Sequence, residues 1–254
     1  MTKIYYFSGT GNSLWSARRI AQAIGGESAL VNIGPEAWKD KPVVQADAVV
    51  LVFPSYAFGL PLAVRRFVMN AMFKTPYLAA FVTNGSTPGG TAASLSRILK
   101  RKGIGALYFG LIPAVENYIA IFGPPKKETE RRRLEMQRKA TEEAARCVME
   151  RRVNRVYTFR PVSAFIWLLF SLGVKIFYKR YRVGGDCDGC GICEKVCPVS
   201  AVSMRDGRPV FSARCEHCQG CLNWCPKRAI HFGRLNSRVA RYHHPEISLR
   251  DMSR

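Results

Sequence analysis

The sequence predicts a doubly wound α/β fold with a five-stranded parallel sheet, followed by a small α+β domain held together by metal. Two observations carry this. Strand-like apolar runs alternate with helix-like segments through the first half of the chain, as in a parallel sheet covered on both faces. All but one of the 9 cysteines then crowd into the turn-rich last quarter at short, regular spacings. With 254 residues, 48% of them hydrophobic, the chain can bury a real core and has room for one or two domains.

The expected strands are Ile4–Phe7, Ala29–Ile33, Ala48–Phe53, Tyr77–Thr83 and Ala106–Ile112. The expected helices between them are Ser13–Ile24, Pro61–Phe73 and Thr91–Arg101. Lys126–Arg152 lacks Gly and Pro and is rich in both charge signs, so it reads as one long exposed helix with a thin apolar stripe of Leu134, Ala145 and Val148. Val162–Val174 is apolar but only 13 residues long, short of the roughly 20 that span a bilayer. Packing between domains is the expectation for it. The alternative is a membrane surface, with Arg160, Lys175, Lys179 and Arg180 near headgroups. The expected boundaries are 1–152 for the sheet domain, 153–182 for an apolar and basic connecting helix, 183–234 for the cysteine-rich domain, and 235–254 for a basic tail.

The cysteines form two sets, Cys187-x-x-Cys190-x-x-Cys193-x-x-x-Cys197-Pro198 and Cys215-x-x-Cys218-x-x-Cys221-x-x-x-Cys225-Pro226, the second 28 positions after the first. The repeat extends beyond the ligands, because Ala201-Val202 recurs as Ala229-Ile230. Two-residue gaps let three thiolates from one tight loop face three corners of an iron–sulfur cube, while the Pro-terminated fourth leaves toward the other cube. The spacing thus implies two 4Fe–4S clusters, one held by Cys187, Cys190, Cys193 and Cys225 and the other by Cys215, Cys218, Cys221 and Cys197. Zinc, which takes its four ligands as two pairs, fits triple-plus-one spacing poorly. Cys147 is left over, and a partly buried thiol with no role is expected there.

After the first strand comes Ser8-Gly9-Thr10-Gly11-Asn12-Ser13, with a helix following. Hydroxyls and amide N–H groups at a helix N-terminus make an anion site. A dinucleotide fingerprint would need a third Gly, and an NTPase loop a following Gly-Lys-Ser/Thr. Two more loops follow strand ends, where open α/β sheets bind ligands. One is Phe53-Pro54-Ser55-Tyr56-Ala57-Phe58-Gly59, whose Tyr56 and Phe58 can stack on a flat ring. The other is Thr83-Asn84-Gly85-Ser86-Thr87-Pro88-Gly89-Gly90, whose glycines let backbone approach a ring edge.

On these motifs, residues 1–150 resemble flavodoxin, with the Ser/Thr-x-Thr-Gly-Asn-Ser/Thr phosphate loop in place. Val183–Phe232 resembles a bacterial two-cluster ferredoxin with all eight ligands present. The chain as a whole is similar to the flavodoxin–ferredoxin fusion proteins of anaerobic bacteria and archaea. The stretches around Glu116-Asn117-Tyr118 and Arg241-Tyr242-His243 look like features of that family. The resemblance implies FMN on the sheet, held partly by Thr10 and Ser13, and redox function without a fixed substrate.

The formal charge is +21. Two clusters and a flavin phosphate would bring it to about +15, since cofactor charge must be counted. A strongly basic carrier points to an acidic redox partner protein or to peripheral membrane contact through 160–181. Nucleic acid is not expected, because the basic residues are scattered and no recognised nucleic-acid motif is present. The short apolar run after Met1-Thr2-Lys3 is no secretory signal, so a cytoplasmic location is expected, membrane association aside. The 4 histidines offer no triad. Three functions compete: an electron-transfer flavo-iron–sulfur protein serving another protein, a self-sufficient quinone or NAD(P)H-linked reductase, and a basic nucleic-acid or membrane protein with structural clusters. The first is the expectation.

Overall fold

Five apolar runs pair side by side in one parallel sheet: β1 (Thr2–Tyr6), β2 (Ser28–Asn32), β3 (Ala48–Pro54), β4 (Leu78–Asn84) and β5 (Leu107–Pro113). The computed structural model describes residues 1–38, 40–104, 107–154, 161–233 and 239–253. Each strand lies within two residues of its expected bounds, although Ala106, where the fifth was to begin, lies outside the described residues. The spatial order is β2-β1-β3-β4-β5, the doubly wound order whose switch point falls between β1 and β3. The runs Ala48–Phe53 and Leu78–Thr83 are buried at every position, as central parallel strands covered on both faces must be.

Helices α1 (Asn12–Ile24) and α5 (Lys127–Met149) cover one face, where Ala17, Ile20, Ala144 and Val148 pack on Ile4, Val50 and Phe81. Helices α2 (Leu62–Asn70) and α3 (Thr91–Arg101) cover the other, with Val64, Phe67, Leu95 and Leu99 on Phe7, Leu51 and Phe53. The helix expected to reach Phe73 stops early. Ala71 is extended, and Met72–Lys74 becomes a short strand pairing with Val43–Gln45. A one-turn helix α4 (Ile119–Phe122) follows β5.

The charged helix differs from expectation. α5 is not merely a solvated rod, because a polar stripe anchors it. Buried Gln137 donates from Nε2 to Asn12 O (3.0 Å) and Ser16 Oγ (3.1 Å), and Thr141 Oγ1 bonds Ser16 Oγ (3.2 Å). Cys147 is fully buried on this face rather than partly.

The apolar stretch forms α6 (Pro161–Phe177). Arg160 and the side chain of Lys175 lie outside the described residues. The cysteine-rich region then folds into two small antiparallel pairs, β6 (Tyr181–Val183) with β9 (Ile230–Phe232), and β7 (Val202–Arg205) with β8 (Arg208–Phe211). Four-residue helices α7 (Ile192–Lys195) and α8 (Gly220–Asn223) follow the two cysteine loops at equivalent places. Its buried side chains continue the cluster beneath α2 and α3, from Leu51 and Phe67 through Val199 and Leu222.

The segment read as a basic tail packs back on the sheet domain. Tyr242, His244, Ile247 and Met252 are buried. His244 N donates to Thr10 O (2.8 Å), Tyr242 Oη to Asn12 Oδ1 (2.8 Å), and Arg18 pairs with Asp251 (2.7 Å). Its last turn, α9 (Leu249–Met252), is closed by a Ser248–Asp251 capping box.

Candidate cofactor and metal centres

The loop after β1 is built as an anion cradle. Gly11 takes φ 98, a left-handed value that suits glycine, and starts α1. The first-turn amides of α1 have no partner within the helix, and no acid sits in that turn. Ser8 Oγ accepts from Gly11 N (3.1 Å), Ser13 Oγ shares a hydrogen bond with Thr83 Oγ1 (2.8 Å), and Thr10 Oγ1 accepts from Asn117 Nδ2. The hydroxyls are thereby oriented before any ligand arrives.

This cradle opens into a cavity of about 500 Å³. Of the expected cofactor residues, Ser8, Gly9, Thr10, Asn12, Ser13, Pro54, Ser55, Tyr56, Phe58, Thr83, Asn84 and Gly85 all line it. Gly11, Gly59, Gly89 and Gly90 do not, and their roles are indirect. Gly11 lies under His244 and Ile247, and Gly59 under the Trp167 indole, which donates to Leu60 O (2.8 Å). A side chain at Gly89 would meet Phe58 O at 2.7 Å, and Gly90 N donates to that same oxygen (2.9 Å). These glycines hold the ring loops together rather than face the cavity.

The residues fit a flavin. The lining is mostly apolar and aromatic, with hydroxyls at one end. Tyr56 Oη and Asn84 Oδ1 are buried with no hydrogen-bond partner among the described residues, which a ring with polar edges would answer. Glu116 also lines the cavity, but its Oε1 accepts from Asn117 N (3.0 Å) and Tyr118 N (2.9 Å), so its charge is directed at backbone.

Motif reading missed the rest of the wall. Phe170 and Phe177 of α6, Ile121 and Phe122 of α4, Phe232 of β9, and His217 with Cys218 from the second cysteine loop all line the same cavity. His217 is held by Tyr181 Oη at its Nδ1 (2.9 Å) and ringed by Tyr118, Phe177 and Phe232. Burial pushes its pKa down to about 4, so it is neutral at physiological pH.

The cysteines gather in two groups. Cys187, Cys190, Cys193 and Cys225 line one small cavity together with Met204 and Pro226. Cys197 is electrostatically close to Cys215, Cys218 and Cys221. Each Pro-terminated cysteine therefore sits with the opposite triple. Among the described residues no three His, Cys, Asp or Glu converge on a single metal-sized point, whereas a cube spreads its thiolates apart. Burial pushes the Cys193 and Cys215 thiols up to about 12, and those of Cys218 and Cys221 well up, so only a bound cation would hold them as thiolates. Backbone amides approach both fourth cysteines alike, Ala201 N to Cys197 Sγ (3.1 Å) and Ala229 N to Cys225 Sγ (3.3 Å), and both alanine side chains are buried.

The cradle and the second cysteine loop touch. A Cβ on Gly9 would lie 2.9 Å from Cys218 Cβ, and one on Gly220 would lie 2.8 Å from Gly9 O. Trp224 Nε1 donates to that same Gly9 O (3.2 Å). Beside them Glu216 is buried and accepts from Leu62 N (2.8 Å) at the start of α2, with burial raising its pKa to about 7.

Comparison with known proteins agrees on the cysteine-rich region. Residues 186–230 match the family of 4Fe–4S dicluster domains. No curated protein matches the chain. Similar solved structures include a flavodoxin of Streptococcus pneumonia TIGR4 (13% identity, 59% of this chain and 97% of that one, TM-score 0.40). Others are the two-electron reduced flavodoxin of Megasphaera elsdenii (20%, 56% and 99%, 0.35) and an FMN-dependent NADH-azoreductase of Bacillus anthracis in complex with FMN (13%, 58% and 100%, 0.38). The fold assignment itself rests on the strand order and the loops at the switch point. The chain joins a flavodoxin-like α/β fold to a region that matches 4Fe–4S dicluster domains.

Proposed function

We propose that this is an electron-transfer flavo-iron–sulfur protein that passes single electrons through two 4Fe–4S clusters to or from FMN, on behalf of an acidic redox partner protein. One observation carries the reading: a single cavity is lined both by the anion cradle of the sheet domain and by Cys218 of the second cysteine loop. When bound, the clusters would supply one-electron steps and the flavin would hold one or two electrons.

The chain's own residues divide the work. Cys187, Cys190, Cys193 and Cys225 would hold one cluster, and Cys215, Cys218, Cys221 and Cys197 the other. Ser8, Thr10 and Ser13 with the α1 amides would bind the phosphate. Tyr56 and Phe58 offer flat faces to the ring, and the aromatic wall of Tyr118, Phe170 and Phe177 excludes water. The +21 formal charge favours an acidic partner through long-range attraction.

The test is anaerobic reconstitution with iron, sulfide and flavin quantified. About eight iron and one FMN per chain are expected from two cubes and one flavin site, with visible absorption that depends on iron. Stoichiometric zinc without that absorption would defeat the assignment. The Thr10→Glu variant should keep its iron and lose most of its flavin, because a carboxylate then stands where the phosphate belongs. Full flavin occupancy in that variant would move the phosphate elsewhere.

A further inference from the structure

Helix α6 has two unlike faces. Trp167, Phe170, Val174 and Phe177 form the inner stripe, which packs over Gly59 and His217 and walls the cavity. The outer face carries Val162, Phe165, Leu168, Leu169, Leu172 and Ile176, each between 49% and 70% exposed. Ile121 and Phe122 of α4 are exposed as well, at 67% and 69%, and border the mouth of the same cavity as Phe170 and Phe177. A soluble monomer rarely leaves six large apolar side chains of one helix face in water.

Charge indicates what covers it. No Asp or Glu occurs from Pro161 to Arg182, whereas Lys175, Lys179, Arg180 and Arg182 follow one another at the C-terminal end. Lys179 and Arg180 are exposed. An apolar face that ends in a cationic stretch and carries no acid matches acyl chains beneath anionic headgroups. A second copy of the chain would add a second cationic stretch to the first on a chain of formal charge +21, which like-charge repulsion opposes. The 17 described residues of α6 reach about 26 Å, less than the ~30 Å hydrocarbon core. No described helix is long and apolar enough to cross a membrane.

We propose that the outer face of α6, with Ile121 and Phe122, docks the protein on the surface of an anionic lipid bilayer. The proposal goes beyond the electron-transfer reading and needs no flavin in the cavity. The test is co-sedimentation of full-length, cluster-reconstituted protein with vesicles of phosphatidylcholine alone or with one third phosphatidylglycerol. Binding is expected to the anionic vesicles and is expected to weaken with salt. The F165S/L172S double variant should lower the bound-to-free ratio at least tenfold with iron content and visible absorption per chain unchanged. A second reading covers the case in which that variant misfolds: Phe165→Trp should show a blue-shifted emission, shielded from an aqueous quencher, when anionic vesicles are added. Absence of vesicle binding, binding indifferent to F165S/L172S, or an emission indifferent to vesicles overturns the proposal. So does self-association or acidic-protein binding that F165S/L172S abolishes while vesicles bind nothing.

Discussion

The two cysteine loops share a motif and a backbone but not an environment. In the first, Cys190 is exposed and Cys187 half-exposed, with Asp188 at the surface. In the second, Glu216, His217, Gln219 and Gly220 are buried, and Cys218, partly accessible, lines the cavity. The left-handed positions make the contrast sharper. The first loop places Gly189 and Gly191 at φ 73 and 71, and the second places His217 and Gln219 at φ 54 and 57. Side chains other than glycine pay roughly 1–2 kcal/mol there. His217 offsets that strain with its bond to Tyr181 and its place in the aromatic wall. Gly189 has no such freedom, because a Cβ would lie 2.9 Å from Gly207 O. One repeat thus faces the solvent, and the other faces the cavity beside the anion cradle.

The largest effect should come from parting the loops. A chain ending at Arg214 retains Cys187, Cys190, Cys193 and Cys197 but lacks Cys225, so crossed ligation leaves it without a complete cluster. Iron analysis and electron paramagnetic resonance of the reduced protein should show none, and full-length Cys225→Ala should lose about half its iron, one cube of two. A stable four-iron cluster in the shortened chain would mean that each loop ligates its own. Gly9→Ala should be milder and one-sided. Its methyl meets Cys218 Cβ at 2.9 Å, and overpacking of this kind costs about 1–3 kcal/mol. Flavin affinity and the second cluster should weaken, with the first cluster's spectrum intact; equal damage to both clusters would contradict the contrast between the loops. The smallest effect should be a gain. Gln219→Gly gives the second loop the first loop's residue and removes a buried amide with no hydrogen-bond partner among the described residues. Unfolding free energy should rise by about 1 kcal/mol in denaturant titration. A loss would show that the amide holds something in place.

Local signals were readable from the sequence. The cysteine triples each fall within a dozen residues and the cradle at one strand-loop-helix junction, so the residues that gather there stood out locally. Parallel strands announced themselves as unbroken apolar runs. What stayed hidden depends on distant parts of the chain. Nothing local in Gln137 or Thr141 marks them as buried, because their partners Asn12 and Ser16 lie on α1. Phe170 and Phe177 read only as apolar, and their place in the cavity follows from how α6 crosses it. Gly59 and Gly89 carry a turn signature that does not distinguish facing a ligand from packing beneath Trp167 or Phe58.

The returning C-terminal segment has a consequence for biosynthesis. Thr10 and Asn12 receive hydrogen bonds from His244 and Tyr242, residues more than 200 positions later. At typical elongation rates of about 5–20 residues per second, a ribosome needs roughly 10–50 s to travel between them. The sheet can form early, since its strands follow one another closely. The cradle, however, stays unlatched until the strap has left the exit tunnel. Closure of the cradle therefore waits for a segment made after both cysteine loops, although the cradle itself is among the first parts of the chain to be synthesised.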